Sequence, residues 1–234
     1  MRSGNVSCKK ERIILVYVTG DMHGEICRFE SKNIRHLKKN DTIIICGDFG
    51  FIWDGGEKEH RTLQQLGNSR FSILFLDGKH ENFDLLNKYE IKTYNWGRVR
   101  HICGRLYHAL RGEIYMIDGK TFFAFGGGES PDKDMRIKSG KWWKEEMPSI
   151  EVMLQAKENL NKIGEKVDYI LTHEPPAHIK NLLEKNKNIN PLNTFFDFLS
   201  ENVTYKKWFF GCLHVDQKIT SKHVAVFNDL IALE

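Results

Sequence analysis

The chain has 234 residues, of which 41% are hydrophobic and 28% charged, and its formal net charge is +4. Aromatic residues make up 12%, which supplies the apolar area that disordered chains lack, so the composition is that of a folded protein. The small excess of positive charge does not indicate a nucleic-acid-binding protein, although nucleic acid is not excluded as a partner. The apolar runs are all far shorter than the roughly 20 residues of a membrane span.

The cysteines and the N-terminus favour a cytoplasmic protein. The five cysteines are odd in number and widely spaced, and none forms a CxxC pair, so reduced thiols are the simplest interpretation. The start of the chain lacks the long apolar run and cleavage site of a secretory signal. Residues 1–11 are polar, and we expect a flexible segment there, followed by a single domain over residues 12–234.

The first third of the chain alternates between apolar runs and amphipathic segments. Runs rich in β-branched residues predict buried strands; they cover residues 13–18, 42–46 and 71–76. Helical spacing and stop signals predict helices between them; these cover residues 57–66 and 82–89 and part of 25–39.

The remainder of the chain predicts antiparallel strands and then further helices. The short strand candidates cover residues 99–103, 106–110, 113–117 and 121–125, with hairpin turns at Arg111-Gly112 and Asp118-Gly119. Beyond them lie helices over 149–163 and 191–199, strands over 167–171 and 208–210, and a closing hairpin of 224–227 and 230–233 around Asn228-Asp229. Together the elements predict an α/β fold, a two-sheet β-sandwich flanked by helices.

Five predicted strands are followed by a loop that carries Asp or His beside Gly or Pro. These loops read Gly20-Asp21-Met22-His23, Gly47-Asp48, Asp77-Gly78-Lys79-His80, Thr172-His173-Glu174-Pro175 and Gly211-Cys212-Leu213-His214. Ligands of open α/β sheets bind outside the carboxyl ends of the strands. We therefore expect all five loops to face one site.

The residue types in these loops suit divalent metals. Two carboxylates and several imidazoles are ligands for ions such as Mn, Fe, Zn or Ni. Asp21 and His23 can reach one ion from a single turn, and Asp48 can bridge two ions through its two oxygens. Two ions about 3.5–4 Å apart clamp a phosphate and activate water for in-line attack. The loops therefore indicate a hydrolase of phosphate esters that uses one or two ions.

The order of the motifs, D-x-H, G-D, G-N-H-D/E, H and G-H-x-H, resembles that of the calcineurin-like metallophosphoesterases from about residue 12 to the C-terminus. The chain looks most similar to small bacterial and phage members. It shares with them a DGNHENFD-like stretch over residues 77–84, a DGKxFFxFGG stretch over 118–127 and the pair Trp142-Trp143. The resemblance implies a β-sandwich with flanking helices and metals at one edge of the sheets.

The resemblance also assigns metal ligands. The residues that it implies for a first ion are Asp21, His23, Asp48 and His214. A second ion would use Asp48 as the bridge, the Asn of G-N-H, His173 and the first His of G-H-x-H. In this sequence Lys79 replaces that Asn and Cys212 replaces that His, so both departures fall on the second ion.

These departures leave two hypotheses open. The ammonium of Lys79 has no lone pair, so it would repel a second cation and pair with Asp48, which predicts one ion or a weakened second one. Alternatively, a thiolate at Cys212 is a good zinc ligand, and with Asp48 and His173 it would bind a second zinc while Lys79 turns toward the substrate phosphate.

By resemblance, His80 is the catalytic imidazole, which protonates the leaving oxygen or stabilises the charge of the phosphate. Arg111 and Arg136 are candidates for clamping the phosphate. The sequence therefore predicts a metallophosphoesterase that acts on a phosphomonoester or phosphodiester, with a nucleotide or a phosphoprotein as substrate. The alternative is a degenerate family member that binds a phosphorylated ligand or partner without turnover.

Overall fold

The computed structural model describes residues 15–183 and 188–233. Its strands are β1 (Val16–Gly20), β2 (Thr42–Cys46), β3 (Ser72–Phe75), β4 (Ile91–Tyr94), β5 (Gly97–Cys103), β6 (Leu106–Ala109), β7 (Glu113–Ile117), β8 (Lys120–Phe125), β9 (Tyr169–Thr172), β10 (Lys207–Phe210), β11 (Gln217–Lys218), β12 (His223–Ala225) and β13 (Ile231–Leu233). Its helices are α1 (Ile26–Phe29), α2 (Lys32–Arg35), α3 (Glu57–Gly67), α4 (Phe83–Leu86), α5 (Lys133–Lys138), α6 (Ile150–Lys162), α7 (Ala177–Leu183) and α8 (Pro191–Asn202). The predicted flexible segment over residues 1–11 lies outside the described residues.

The strands form two sheets, which confirms the predicted fold class. The first sheet has the order β13-β1-β2-β3-β6-β5-β4, and the second has the order β11-β12-β10-β9-β8-β7. Parallel pairing joins β1, β2, β3 and β6 in the first sheet and β8, β9, β10 and β12 in the second. Each sheet therefore collects the carboxyl ends of its central strands at one edge, which is where the ligand-bearing loops begin.

The side chains of β2 show how the layers pack. Ile44 lies in the apolar layer between the two sheets, whereas Ile43 and Ile45 lie in the layer between the first sheet and its helices. This alternation is the two-residue period of a strand, and both faces are apolar because both are covered. On the second sheet, Ile170 and Trp208 pack outward against helices α6, α7 and α8. Within the described part of the chain, no helix has the length and apolarity to cross a membrane.

Two of the predicted hairpins are wrong. The turn at Asn228-Asp229 joins strands of different sheets, because β12 pairs with β10 while β13 pairs with β1. Arg111-Gly112 likewise lies between β6 of the first sheet and β7 of the second. Both turns are crossovers between sheets, which turn residues alone do not distinguish from hairpins. The hairpin at Asp118-Gly119 is confirmed by the antiparallel pairing of β7 and β8.

Strand β4 at the edge of the first sheet was not predicted. It pairs with β5 across a tight turn at Asn95-Trp96, whose residues have φ angles of 46° and 79°. Positive φ at both central residues is typical of a type I′ turn, for which Asn is a common first residue. Tryptophan is not a common second residue, so the sequence carries only half of the usual signal.

Candidate metal centre

The loops at the carboxyl ends of the strands have an unusual backbone. Ten non-glycine residues of the described chain have positive φ angles, and five of these lie in the ligand-bearing loops. These five are Asp21, His23, Asp48, Cys212 and His214. Non-glycine residues in this region cost free energy and persist where the surroundings enforce them, often at functional sites. The clustering is therefore an indication of function that is independent of residue type.

Glycines allow the loops of the two sheets to approach each other closely. A Cβ atom on Gly47 would lie 2.0 Å from Nδ1 of His173, and one on Gly78 would lie 1.9 Å from Oδ1 of Asp48. A Cβ atom on Gly211 would lie 2.3 Å from the carbonyl oxygen of Cys46. A side chain at any of these positions would collide with a candidate ligand or its loop.

His23 and His214 face each other with their Nε2 atoms 3.0 Å apart. Together with Asp21 they offer three ligand atoms that lie within 4.8 Å of one another. Burial lowers the pKa of both imidazoles, so they favour the neutral form that binds metals. Two imidazole nitrogens directed at the same place, beside a carboxylate, are the donor set of a metal ion.

The two carboxylates and His173 form the buried part of the site. Asp21, Asp48 and His173 are each inaccessible to solvent and offer a second group of ligand atoms within 4.8 Å. Oδ1 of Asp21 and Nε2 of His173 have no hydrogen-bond partner among the described residues. Unpartnered buried polar atoms are costly, and a cation between them would satisfy both. Asp21, His23, Asp48, His173 and His214 thus fit a divalent ion.

The two carboxyl groups differ in their ionisation. Burial, with the nearby charge of Asp48, raises the pKa of Asp21 to about 8. Burial also opposes ionisation of Asp48, but the charge of His173 and the hydrogen bonds from His80 hold its pKa well below the usual range. Asp48 is therefore the carboxylate that remains ionised without any ion in the site.

Asp48 also fixes His80. Nδ1 of His80 lies 2.7 Å from Oδ2 of Asp48, and the backbone amides of Lys79 and His80 donate to Oδ1 at 2.8 and 2.9 Å. Since an ionised carboxylate only accepts hydrogen bonds, Nδ1 of His80 must carry a proton. Its Nε2 is then the ring nitrogen that Asp48 does not engage. The imidazole ring is about one-third exposed, so it is accessible from the solvent.

Lys79 and Cys212 contact each other rather than a common ligand site. Nζ of Lys79 donates to Sγ of Cys212 at 3.2 Å, and the backbone amide of Cys212 donates to Oδ2 of Asp21 at 2.8 Å. A third group of ligand atoms within 4.8 Å of one another comes from His23, Asp48 and His80, and among the described residues Cys212 belongs to none of the three groups. The expected pairing of the Lys79 ammonium with Asp48 is not formed in this part of the chain, where the Lys79 amide makes the contact instead.

The charges of this pair follow from its surroundings. Burial raises the pKa of the Cys212 thiol to about 11, so the thiol is protonated near neutral pH. Burial lowers the pKa of Lys79, but the interaction with Cys212, followed by the charges of Glu174 and Asp48, outweighs that effect and raises the pKa above its ordinary value. An ammonium ion and a neutral thiol therefore lie where the sequence resemblance implies two ligands of a second ion, and in these protonation states neither group is a ligand for a divalent ion.

Arg111 is not a free phosphate clamp. Its Nε donates to Oδ2 of the buried Asp77 at 2.8 Å, and Nε2 of His108 lies 3.0 Å from Oδ1 of the same carboxylate. Asp77 and Arg111 are 34 residues apart in the sequence, so the sequence alone does not indicate that they pair. This buried pair supports the base of the loop that carries His80.

Arg136 is also buried, and its guanidinium supports the Lys79 loop from outside. Nη1 donates to the carbonyl oxygen of Lys79 at 2.8 Å and lies 3.2 Å from Oε2 of Glu146. These contacts direct the guanidinium to the backbone of the Lys79 loop, and the clamping of a phosphate by Arg136 stays a prediction. The sequence gives no signal of the contact with Glu146, which is ten residues away in a one-turn 3-10 helix (Lys144–Glu146).

A buried glutamate joins two of the loops. Oε1 of Glu81, which is 1% exposed, accepts a hydrogen bond of 2.7 Å from the backbone amide of Phe49. Glu81 follows His80 in the chain, and Phe49 follows Asp48. The contact therefore ties the loop of Asp48 to the loop of His80.

A cleft of about 680 Å³ opens beside Lys79 and Cys212. Its walls also include Ser130, Lys133 and Glu174. The cleft adjoins the second metal position and is large enough for a phosphate ester with part of its leaving group.

Two helix-flanked sheets with Asp and His ligands at adjoining strand ends are the fold and site of the calcineurin-like phosphoesterases. The model of that family matches residues 14–220, and the chain belongs to it. No curated protein sequence matches the chain significantly.

Two solved structures are similar at low identity. Phosphopantetheinyl hydrolase (PptH) from Mycobacterium tuberculosis is 9% identical, with a TM-score of 0.47 over 91% of this chain and 89% of that one. A protein serine/threonine phosphatase from Saccharomyces cerevisiae with similarity to human phosphatase PP5 is 14% identical, with a TM-score of 0.39 over 92% of this chain and 67% of that one. These likenesses are too distant to indicate a substrate.

Proposed function

We propose that the chain is a metal-dependent phosphoesterase that hydrolyses a phosphomonoester or a phosphodiester. The observation that carries the proposal is the convergence of Asp21, His23 and His214, whose ligand atoms lie within 4.8 Å of one another beside the ionised Asp48. This is a donor set for Mn, Fe, Zn or Ni, and Lys79 and Cys212 of the neighbouring loops line a cleft. His173, with its unpartnered Nε2, lines the same site.

Asp21, His23, Asp48 and His214 would hold the principal ion. A divalent ion bound there would supply Lewis-acid stabilisation of the phosphate and lower the pKa of water. The chain's own contribution is to keep both imidazoles neutral by burial and to hold Asp48 ionised by three hydrogen bonds. Both effects maintain ligands in the protonation state that binds a cation.

His80 would act as the general acid. With its Nδ1 proton held by Asp48, the proton on Nε2 of the imidazolium is the one available for transfer. Transfer of that proton to the leaving oxygen would release a neutral alcohol instead of an alkoxide. The carboxylate of Asp48 would meanwhile keep the ring in one orientation.

A second candidate function is binding of a phosphorylated ligand without turnover. It is favoured by the contact between Lys79 and Cys212, which puts an ammonium ion and a thiol where a second metal would otherwise be bound. One positive charge stabilises a phosphate transition state less than a divalent ion does. In either case the substrate or ligand is a phosphate ester, such as a nucleotide or a phosphoprotein.

Turnover distinguishes the two candidates. We would assay aryl phosphate mono- and diesters with Mn, Zn and a chelator, on the wild type, His80→Ala and the control His60→Ala, whose residue is exposed on α3. Metal-dependent turnover that is lost in His80→Ala and kept in His60→Ala supports the enzyme. Tight nucleotide binding with no product supports the binding function. The cytoplasmic location remains a prediction, and the four described cysteines are free thiols.

A further inference from the structure

We infer that Lys79 is a substrate-binding residue whose ammonium takes the place of a second metal ion, so that the chain holds one divalent ion. The inference rests on the proposed function, because it assigns the ligand of that ammonium as the phosphate of the substrate. It concerns Lys79 and Cys212, which replace two of the metal ligands that the sequence resemblance implies.

Lys79 is held at both ends. Its amide donates to Asp48 at 2.8 Å, and its carbonyl accepts from Arg136 at 2.8 Å, so the backbone on either side of its Cα is fixed by a charged group. Its Nζ reaches Sγ of Cys212 at 3.2 Å. The side chain therefore projects from a fixed backbone to a defined place beside the principal ligands, as a preorganised charge does.

A second ion at that place would lose a ligand at Lys79 and would meet the positive charge of its ammonium. An ammonium ion has three donors and no lone pair, so Lys79 offers no bond to a metal. Its positive charge would repel a divalent cation twice as strongly as a monovalent one at the same distance. Cys212 is in none of the groups of described residues that could hold an ion, and His173 is grouped with Asp21 and Asp48 instead.

The ammonium has a weak partner that a phosphate would displace. Sulfur is a poor hydrogen-bond acceptor, whereas a phosphate oxygen is charged and forms short, strong hydrogen bonds with ammonium groups. Lys79 and Cys212 both line the cleft of about 680 Å³, so a phosphate ester in the cleft can reach Nζ. When a phosphate oxygen replaces Sγ as the acceptor, the thiol loses a weak hydrogen bond and the ammonium gains a strong one.

The test measures ions and phosphate binding without turnover. Ions per chain are counted by elemental analysis after loading with Mn or Zn, and the Kd of inorganic phosphate is measured calorimetrically on the Mn-loaded protein. We expect one ion per chain in the wild type and in Lys79→Met, with at least a tenfold weaker phosphate Kd in the variant. We expect two ions in the double variant Lys79→Asn with Cys212→His.

Lys207→Met is the matched control. Lys207 is an exposed lysine at the amino end of β10, the end opposite the ligand-bearing loop, and it is not among the residues that line the cleft. Its substitution should leave the ion count and the phosphate Kd unchanged. Thermal unfolding of each variant establishes that the protein is folded, and Lys79→Met alone tests the phosphate contact if the double variant does not fold.

Two ions in the wild type, an unchanged phosphate Kd in Lys79→Met, or one ion in the folded double variant would each overturn the inference. Failure of the proposed function gives a different pattern. One ion and Lys79-dependent phosphate binding without turnover of any ester would support the inference and overturn the enzyme. A wild type that binds no ion would overturn both.

Discussion

The imidazole of His80 and the carboxylate of Asp48 are joined by a contact of 2.7 Å between Nδ1 and Oδ2, while Oδ1 accepts the amides of Lys79 and His80. One buried carboxylate therefore orients the imidazole and the loop that carries it, and it is also a candidate metal ligand. Asp48 both orients His80 and is a candidate metal ligand, whereas His80 is proposed only as the general acid. Substitutions of the two residues should therefore have different effects on ion binding.

Substitution of His80 should remove turnover and leave the ion. We expect His80→Ala to lower kcat by roughly 10²- to 10⁴-fold, which is the usual contribution of general acid catalysis, with an unchanged ion count. Asp48→Asn should lower both kcat and the ion count, because the amide lacks the charge and one of the two acceptor oxygens. Activity assays and elemental analysis of the same preparations check this. A large loss of ions in His80→Ala would show that His80 is a ligand instead.

Removal of metal should destabilise the folded protein. The unpartnered Oδ1 of Asp21 and Nε2 of His173 are buried without a cation between them, and an ion that binds only the folded state stabilises it. At a free ion concentration of 100 times the Kd, the free energy of unfolding should rise by about 2.7 kcal/mol over the chelator-treated protein.

Asp21→Asn provides the internal comparison for that experiment. The variant removes a carboxyl group whose pKa burial raises to about 8, so the ion-free variant should be more stable than the ion-free wild type near neutral pH. It should also lose most of the stabilisation by ions. Thermal unfolding with and without chelator measures both effects, and an Asp21→Asn variant that keeps the full shift would argue against Asp21 as a ligand.

The buried pair of Arg136 and Glu146 should affect stability and turnover separately. Arg136→Met leaves the carboxylate of Glu146 buried without its partner, which costs about 3–5 kcal/mol of unfolding free energy. The double variant with Glu146→Leu should regain most of that stability. It should not regain kcat, because the carbonyl of Lys79 has lost the bond of 2.8 Å from Arg136 and keeps only the longer contact of 3.4 Å from Oγ of Ser130. Urea unfolding and kinetics test this, and wild-type turnover in the double variant would exclude the positioning role.

The buried His223 should make the free energy of unfolding depend on pH. Its ring nitrogens lie 3.2 Å from the hydroxyl of Tyr205 and 3.0 Å from Oγ1 of Thr220. Burial, followed by the charges of His178 and Lys222, lowers the pKa of His223 to about 4, and the attraction of Asp197 only partly offsets this.

The sign of the effect follows from that pKa. Between pH 6.5 and pH 4 the unfolded chain binds a proton that the folded chain does not, so stability falls as the pH falls through this window. The loss reaches at most about 3 kcal/mol. Urea unfolding from pH 4 to pH 7.5 in the presence of chelator should show a shallower slope for His223→Gln than for the wild type. Equal slopes would mean that His223 does not titrate as described.

The sequence predicted the site better than the connections of the fold. Asp or His after a buried strand is visible in the printed sequence, and parallel pairing then brings such residues together without further information. The turn at Asn228-Asp229 has the composition of a hairpin, but its amides donate to the carboxylate of Asp216 and the chain crosses to the other sheet. Residue periodicity says which side of a strand is apolar, but it does not say which sheet the strand joins.

Contacts between side chains that are far apart in the sequence could not be predicted either. The sequence singled out Lys79 and Cys212 because each departs from a motif, but it did not show that they contact each other, 133 residues apart. Arg136 was predicted as a candidate for clamping the phosphate, whereas it is buried. Its partners in the interior are Glu146 and the backbone carbonyl of Lys79. Every residue has a backbone carbonyl, so the sequence does not show which one accepts a hydrogen bond from Arg136.

The candidate ligands are divided between the two sheets, with Asp21 and Asp48 after strands of the first and His173 and His214 after strands of the second. A bound ion would therefore be a cross-link between two halves of the sandwich, and its affinity would depend on how the sheets slide against each other. Substitutions in the inter-sheet layer, such as Phe209→Leu at a position 1% exposed, could then retune metal preference without altering a ligand. A search for variants with a different metal requirement would do well to begin there.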